Sequence, residues 1–167
     1  IGDIAYFTTT PNHIQEIQKL SGETEAEIHK IMIMRGSRIA IRISSYAPDN
    51  MAIKLIECDK QKSYKLAEYM NDIIIIQGDG RNVDLLKEEG IRDMDAFIAL
   101  TDSSETNILA CLTAKELGVK KTIAEVENIQ FISTAERLNI GNIINKKLLA
   151  ASRIFQLLLD EDSSNAK

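Results

Sequence analysis

The chain reads as an α/β protein built on a doubly wound parallel sheet of six strands, and three observations carry that reading. From residue 31 onward, short apolar runs alternate with amphipathic segments, joined by spacers of only a few residues. The third run places four isoleucines side by side at 73–76, a uniformity that suits a strand covered on both faces. The first run, Ile31-Met-Ile-Met34, meets a glycine-containing turn, and the second, Ile53-Lys-Leu-Ile-Glu57, ends on an acid. That is the layout of a dinucleotide-binding βαβ unit, in which a helix N-terminus faces a phosphate and the acid takes a ribose hydroxyl. The alternation fits the Rossmann-like strand order 3-2-1-4-5-6.

The elements follow in order. Residues 31–34 form the first strand, and 38–47 a helix that Pro48 ends. Residues 52–57 are a strand, with Asp59 placed to cap the helix over 60–70. The isoleucine strand covers 73–77. A helix over 82–89 stops at Gly90. Residues 96–101 are a strand, and 104–117 a helix with Ser103 or Ser104 as N-cap and Gly118 at its close. Strand 121–126, helix 130–138 and the short strand 142–145 complete the sheet, and a last helix runs over 146–159. Ahead of this unit, residues 3–8 are β-prone, and Thr10-Pro-Asn-His13 opens a helix that Gly22 ends. We therefore read 1–22 as the closing strand and helix of an upstream subdomain, 23–29 as an acidic linker, 30–160 as the nucleotide-binding domain and 161–167 as a frayed polar tail. A strand-like start at Ile1, with no initiator methionine, leads us to expect a piece of a longer chain.

Composition narrows the function. A hydrophobic content of 44% supports a real core, while a net charge of −5 disfavours nucleic acid and anionic membrane surfaces as direct partners. No apolar run reaches the roughly 20 residues that span a bilayer. Cys58 and Cys111 lie outside any Cys-x-x-Cys spacing and read as free thiols of a reducing compartment.

The glycine turn departs from the template. Where G-x-G-x-x-G is expected, residues 35–40 read Arg-Gly-Ser-Arg-Ile-Ala. Arg35 replaces the first glycine and threatens backbone strain. Ser37 replaces the second, and Ala40 is an accepted substitute for the third. Two readings stand side by side: Arg35 and Arg38 bind phosphate directly, or the turn keeps its shape without a ligand. Glu57 ends the second strand at the spacing of a ribose-binding acid, which favours an unphosphorylated ribose. Asp79 and Gly80, after the third strand, and Thr101, after the fourth, lie at the carboxyl ends where α/β sheets bind ligands. His13 and His29 have no partner at catalytic or metal spacing, and no nucleophile elbow or P-loop is present.

The phrases Leu55-Ile-Glu-Cys-Asp59, Gly78-Asp-Gly80, Asp95-Ala-Phe-Ile-Ala-Leu-Thr-Asp102, Glu105-Thr-Asn107 and Lys147-Leu-Leu-Ala-Ala-Ser152 are specific as a set. Through them residues 31–159 resemble the regulator-of-potassium-conductance (RCK, or KTN) domain, closest to that of the Trk-type potassium-uptake regulators. Gly2-Asp-Ile-Ala-Tyr-Phe7 with its helix resembles the end of that family's small ligand-binding subdomain, which makes this the second of two repeats. The resemblance implies a non-enzymatic, cytoplasmic subunit, peripheral to the membrane, docked on a potassium-translocating partner. It also implies NAD(H), ATP or ADP in the cleft, and pairing into a homodimer or larger ring. Glu57, Asp79, Gly80 and Thr101 match positions that hold adenosine and ribose, and residues 36–39 (Gly36, Ser37, Arg38, Ile39) match the phosphate turn. Glu125 stands where members often carry an arginine, which implies a degenerate, empty scaffold as one alternative. A nicotinamide-dependent oxidoreductase is the other. The seven large apolar residues of the last helix exceed one core-facing stripe, and in similar proteins this helix crosses to a neighbouring subunit.

Overall fold

The computed structural model describes residues 27–164. The expected upstream strand and helix, and most of the expected linker, lie outside the described residues. The elements are β1 (Lys30–Met34), α1 (Arg38–Tyr46), β2 (Ala52–Glu57), α2 (Lys60–Tyr69), β3 (Ile74–Gln77), α3 (Val83–Glu88), a 3₁₀ turn (Ile91–Asp93), β4 (Ala96–Ala99), α4 (Ser104–Glu116), β5 (Lys121–Glu125), α5 (Ile129–Arg137), β6 (Asn142–Ile144) and α6 (Lys146–Ser164). All strands are parallel, in the order β3-β2-β1-β4-β5-β6. The chain thus reverses its winding between β1 and β4. Met34 is in register with both Ile56 and Ala99, so the carboxyl ends of three strands finish level.

Alternation along each strand feeds two cores. Ile31, Ile33, Leu55 and Ile98 face one side with Ala40 and Leu66 of the helices. Met32, Met34, Ile56 and Phe97 face the other with Ile108 and Cys111. Burial on both faces is why the central strands read as continuous apolar runs. Burial also pushes the Cys111 thiol up to about 12, so it packs as an inert apolar group. The isoleucine strand β3 is only partly covered: Ile76 is buried while Ile74 is 57% exposed. It lies at the sheet edge, and among the described residues it pairs only with β2.

Polar side chains set the element boundaries. Asp59, Ser103 and Asn128 cap α2, α4 and α5 by accepting from backbone N–H groups of the first turn. Ser104, the alternative cap for α4, is buried, and its Oγ accepts from the N–H groups of Glu127 and Asn128. Asp95 Oδ2 accepts from the N–H groups of His29 and Lys30, both at 2.8 Å, and so ties the entry of β1 to that of β4. The last helix continues past residue 159 to Ser164, into the stretch read as tail. Leu148, Leu149, Ile154, Phe155, Leu157, Leu158 and Leu159 are all 49–63% exposed, so α6 buries none of them within the described residues.

Candidate functional site

The turn from β1 to α1 is built by three residues with separate duties. Arg35 donates its N–H to the Ile56 carbonyl at 2.8 Å and adopts φ +80°. A side chain in that conformation costs roughly 1–2 kcal/mol, which explains why the template prefers glycine there. The strain expected at Arg35 is therefore present. Gly36 is required for space: a Cβ would run into the Leu66 side chain and lie 3.2 Å from Glu57 Oε2. Ser37 caps α1, with Oγ accepting from Ala40 N–H at 3.2 Å, and Ala40 is fully buried against the strands.

Glu57 closes this turn from below. Its Oε2 accepts from Gly36 N–H at 3.0 Å and pairs with Lys62 Nζ at 3.0 Å, while Oε1 accepts from Asp59 N–H at 3.0 Å. Cys58 Sγ lies 3.5 Å from the same Oε1. The side chain is 2% exposed. Burial raises its pKa, but the Asp59 N–H, the Lys62 ammonium and the Gly36 N–H outweigh it and hold the carboxyl below its ordinary value. Glu57 is thus an ionised strut between the glycine turn and α2.

Two further loops wall the cleft. After β3, Asp79 forms a two-pronged pair with Arg81, Nη2 to Oδ2 at 2.7 Å and Nε to Oδ1 at 3.0 Å. Arg81 holds the Asp79 carboxyl below its usual range. At Gly80 a Cβ would lie 2.6 Å from Met34 Cγ, so this loop presses on the end of β1. After β4, the Thr101 hydroxyl donates to Asn107 Oδ1 at 2.6 Å, and Thr101 N–H donates to the same oxygen at 2.9 Å. Asn107, fully buried, returns its amide to the Thr101 carbonyl at 2.9 Å and the Glu125 carbonyl at 2.8 Å. One side chain therefore holds the ends of β4 and β5 together. Across the mouth, Arg35 Nη1 meets Asp102 Oδ2 at 2.5 Å. Both side chains are partly or largely exposed, so the pair contributes about 0–1 kcal/mol and opens readily.

These loops enclose a cleft of about 360 Å³ over the winding reversal, of a size suited to a small ligand. Of the residues expected there, Arg35, Glu57, Asp79, Gly80 and Thr101 line it. Gly36, Ser37 and Arg38 line a neighbouring cavity that shares Arg35 and Asp102 with the cleft. Arg38 and Ile39 are not among its lining: Arg38 is exposed on the first turn of α1, and Ile39 packs toward the core with Ile43. Ile39 follows the turn on a helix, whose rotation carries its side chain to the core. Sequence reasoning overlooked Cys58, Arg81 and Asp102 on the cleft wall, and Asn107 behind it. Asn107 had a legible signal: it shares a helical face with the buried Cys111 and Ala114, four and seven residues on.

Beyond the cleft, the end of β5 is closed. Glu125 is 5% exposed and pairs with Lys146 Nζ at 2.7 Å, so its charge is not left bare toward the turn. That hydrogen bond, helped by the nearby Glu127 and Asp102, raises the Lys146 pKa. Lys146 N–H also donates to Glu127 Oε1 at 3.0 Å, pinning the start of α6.

Comparison with known proteins agrees with this architecture. The Trk system potassium uptake protein TrkA of Vibrio alginolyticus is 32% identical over 134 residues, which cover 80% of this chain and 29% of that protein. The chain thus spans under a third of that relative. Among solved structures, the GsuK channel bound to NAD superposes with a TM-score of 0.62 at 16% identity, over 72% of this chain and 22% of that one. GsuK bound to ADP gives 0.63 at 16% identity, over 72% and 32%. The model of the TrkA-N domain matches residues 31–146, from the first core residue of β1 through the start of α6. Fold, cleft and sequence match coincide over one stretch, and the chain belongs to the TrkA-N domain family.

Proposed function

We propose that this chain is a regulatory repeat of a potassium-uptake system, which senses NAD(H) or an adenine nucleotide in the β1–β4 cleft and passes its occupancy to a membrane potassium-translocating partner. The observation that carries the proposal is the floor of the cleft. Gly36 and Gly80 sit where a Cβ would meet Leu66 and Met34, so glycine lets both loops pack tightly against the level strand ends, and the ionised Glu57 braces the turn from beneath. A phosphate suits the N-terminus of α1 and the guanidinium of Arg35, and ribose hydroxyls suit the acidic end of β2. The named relative supports the system, and the GsuK structures with NAD and ADP support the ligand class.

The chain acts without catalysis in this proposal. Glu57 and Asp79 are both held ionised by their partners, which makes them fixed acceptors rather than proton carriers. His29 precedes β1, at the opposite end of the sheet. Regulation requires that nucleotide bind two subunit arrangements with different affinity. The exposed apolar stripe of α6 supplies the second surface, and a homodimer through it places two clefts in one assembly. No helix among the described residues is long and apolar enough to cross a membrane. Calorimetric titration with NADH, ADP, ATP and NADPH tests the proposal, with a turnover assay beside it. Binding of an adenine nucleotide or NADH is expected, with NADPH weaker because Glu57 opposes a 2′-phosphate. Silence from all four ligands, or turnover of a reduced nicotinamide, refutes it.

A further inference from the structure

One side of α1 carries an open apolar groove of about 600 Å³, lined by Ile39, Ile43 and Ala47 of the helix and its C-cap, with Ile31 and Met51. Arg38 and Arg42, one helical turn apart, also line it. α1 contains no acidic residue, and among the described residues no carboxylate pairs with either arginine. The chain enters the fold beside this groove. Ile28 packs on the same core as Ile39, Ile43, Ala47 and Met51. The His29 carbonyl accepts from Ala52 N–H at 2.7 Å, next to Met51. The residues ahead of Ile28 therefore start at the end of the groove where α1 finishes.

Their sequence suits the groove. Residues 23–28 read Glu-Thr-Glu-Ala-Glu-Ile, a strict alternation. In extended chain Thr24 and Ala26 share the face of Ile28, and the three glutamates take the opposite face. Two residues of extended chain advance about 6.6 Å and four residues of helix about 6 Å, so the two spacings keep step. With Glu27 beside the end of α1, where its Oε2 meets His29 Nε2 at 3.0 Å, Glu25 comes level with Arg42 and Glu23 with Arg38. We propose that residues 23–27 are the occupant of this groove, laid extended along α1 in the same direction as the helix. Thr24 and Ala26 continue the apolar contact of Ile28, and Glu25 and Glu23 pair with Arg42 and Arg38. The upstream chain is thereby strapped to the helix that begins at the glycine turn. The placement does not depend on what the cleft binds.

Disulfide trapping in the 167-residue chain tests the strap. Cys58→Ser provides the background, since Cys58 is exposed and Cys111 is buried. Ala26→Cys with Ile43→Cys should close an intramolecular disulfide at least tenfold faster than Ala26→Cys with Tyr69→Cys, whose second position is exposed on α2. Ala26→Cys with Ala47→Cys removes less bulk from the groove and serves as a second trapping pair, and far-UV circular dichroism checks folding. Arg38→Glu with Arg42→Glu should slow trapping at least threefold, and adding Glu23→Lys with Glu25→Lys should restore it. Equal rates for the groove pairs and the α2 pair overturn the strap. So does a disulfide between chains, which would give the groove to a second copy. Trapping unmoved by the charge reversals overturns the pairing of the glutamates with Arg38 and Arg42.

Discussion

Replacing Glu57 by glutamine tests whether the floor of the cleft is an electrostatic strut. The carboxylate receives four groups on two oxygens: Gly36 N–H and Lys62 Nζ on one, Asp59 N–H and Cys58 Sγ on the other. A glutamine has one oxygen and one NH₂, so it serves one side and turns a donor toward the other. Whichever way the amide settles, one backbone N–H loses its acceptor in a site where the side chain is 2% exposed. An unsatisfied buried group costs about 1–3 kcal/mol, and the surviving bond loses its charge assistance, so the loss should be about 2–3 kcal/mol. For a chain of this length that is roughly 5–10 °C in Tm. The pH dependence carries a second signature. Because the folded pKa lies below its ordinary value of 4.5, Glu57 contributes stability that is fully present above that value and is lost as pH falls through the folded one. Urea unfolding at neutral pH and at a series of acid pH values would measure both. The variant should be weaker at neutral pH and should lose less than the wild type on acidification. A neutral-pH change under about 0.5 kcal/mol, or parallel acid limbs, would refute the strut.

Two further outcomes follow from the same geometry. Asn107→Ala leaves the Thr101 N–H, Thr101 carbonyl and Glu125 carbonyl without their shared partner, and should cost about 3 kcal/mol by denaturant unfolding; a loss below about 1 kcal/mol would mean that water replaces the amide. The wild type should be a dimer by light scattering at tens of micromolar, since burying the half-exposed residues of α6 yields about 1 kcal/mol each, and Phe155→Asp should be monomeric yet folded; a monomeric wild type, or a folded dimeric variant, counts against α6 as the interface.

The sheet was legible from the chain because each central strand is covered on both sides. Runs such as 31–34 and 53–56 must be apolar at every position, and the helices between them must carry one apolar face, so the period changes at each boundary. Caps at Asp59 and Ser103 follow from local backbone chemistry and need no tertiary information. Residues at the carboxyl ends of β1 to β4 are legible for a similar reason: strand ends that finish level must share a cleft.

What the chain alone left open is which side chains turn into that cleft and what they meet. Ile39 belongs to the turn by spacing, and the rotation of α1 takes it to the core, while Arg38 stays beside the turn in a cavity next to the cleft. Glu125 stands by resemblance where an arginine is common, and only the fold brings Lys146, 21 positions later, to its carboxylate. Arg35 met Asp102 only because β1 and β4 are neighbours in the sheet. Local patterns determine strands, helices and caps, because those depend on residues a few positions apart. The charge balance of the cleft depends on contacts between residues distant in the chain, and only the folded sheet sets those distances.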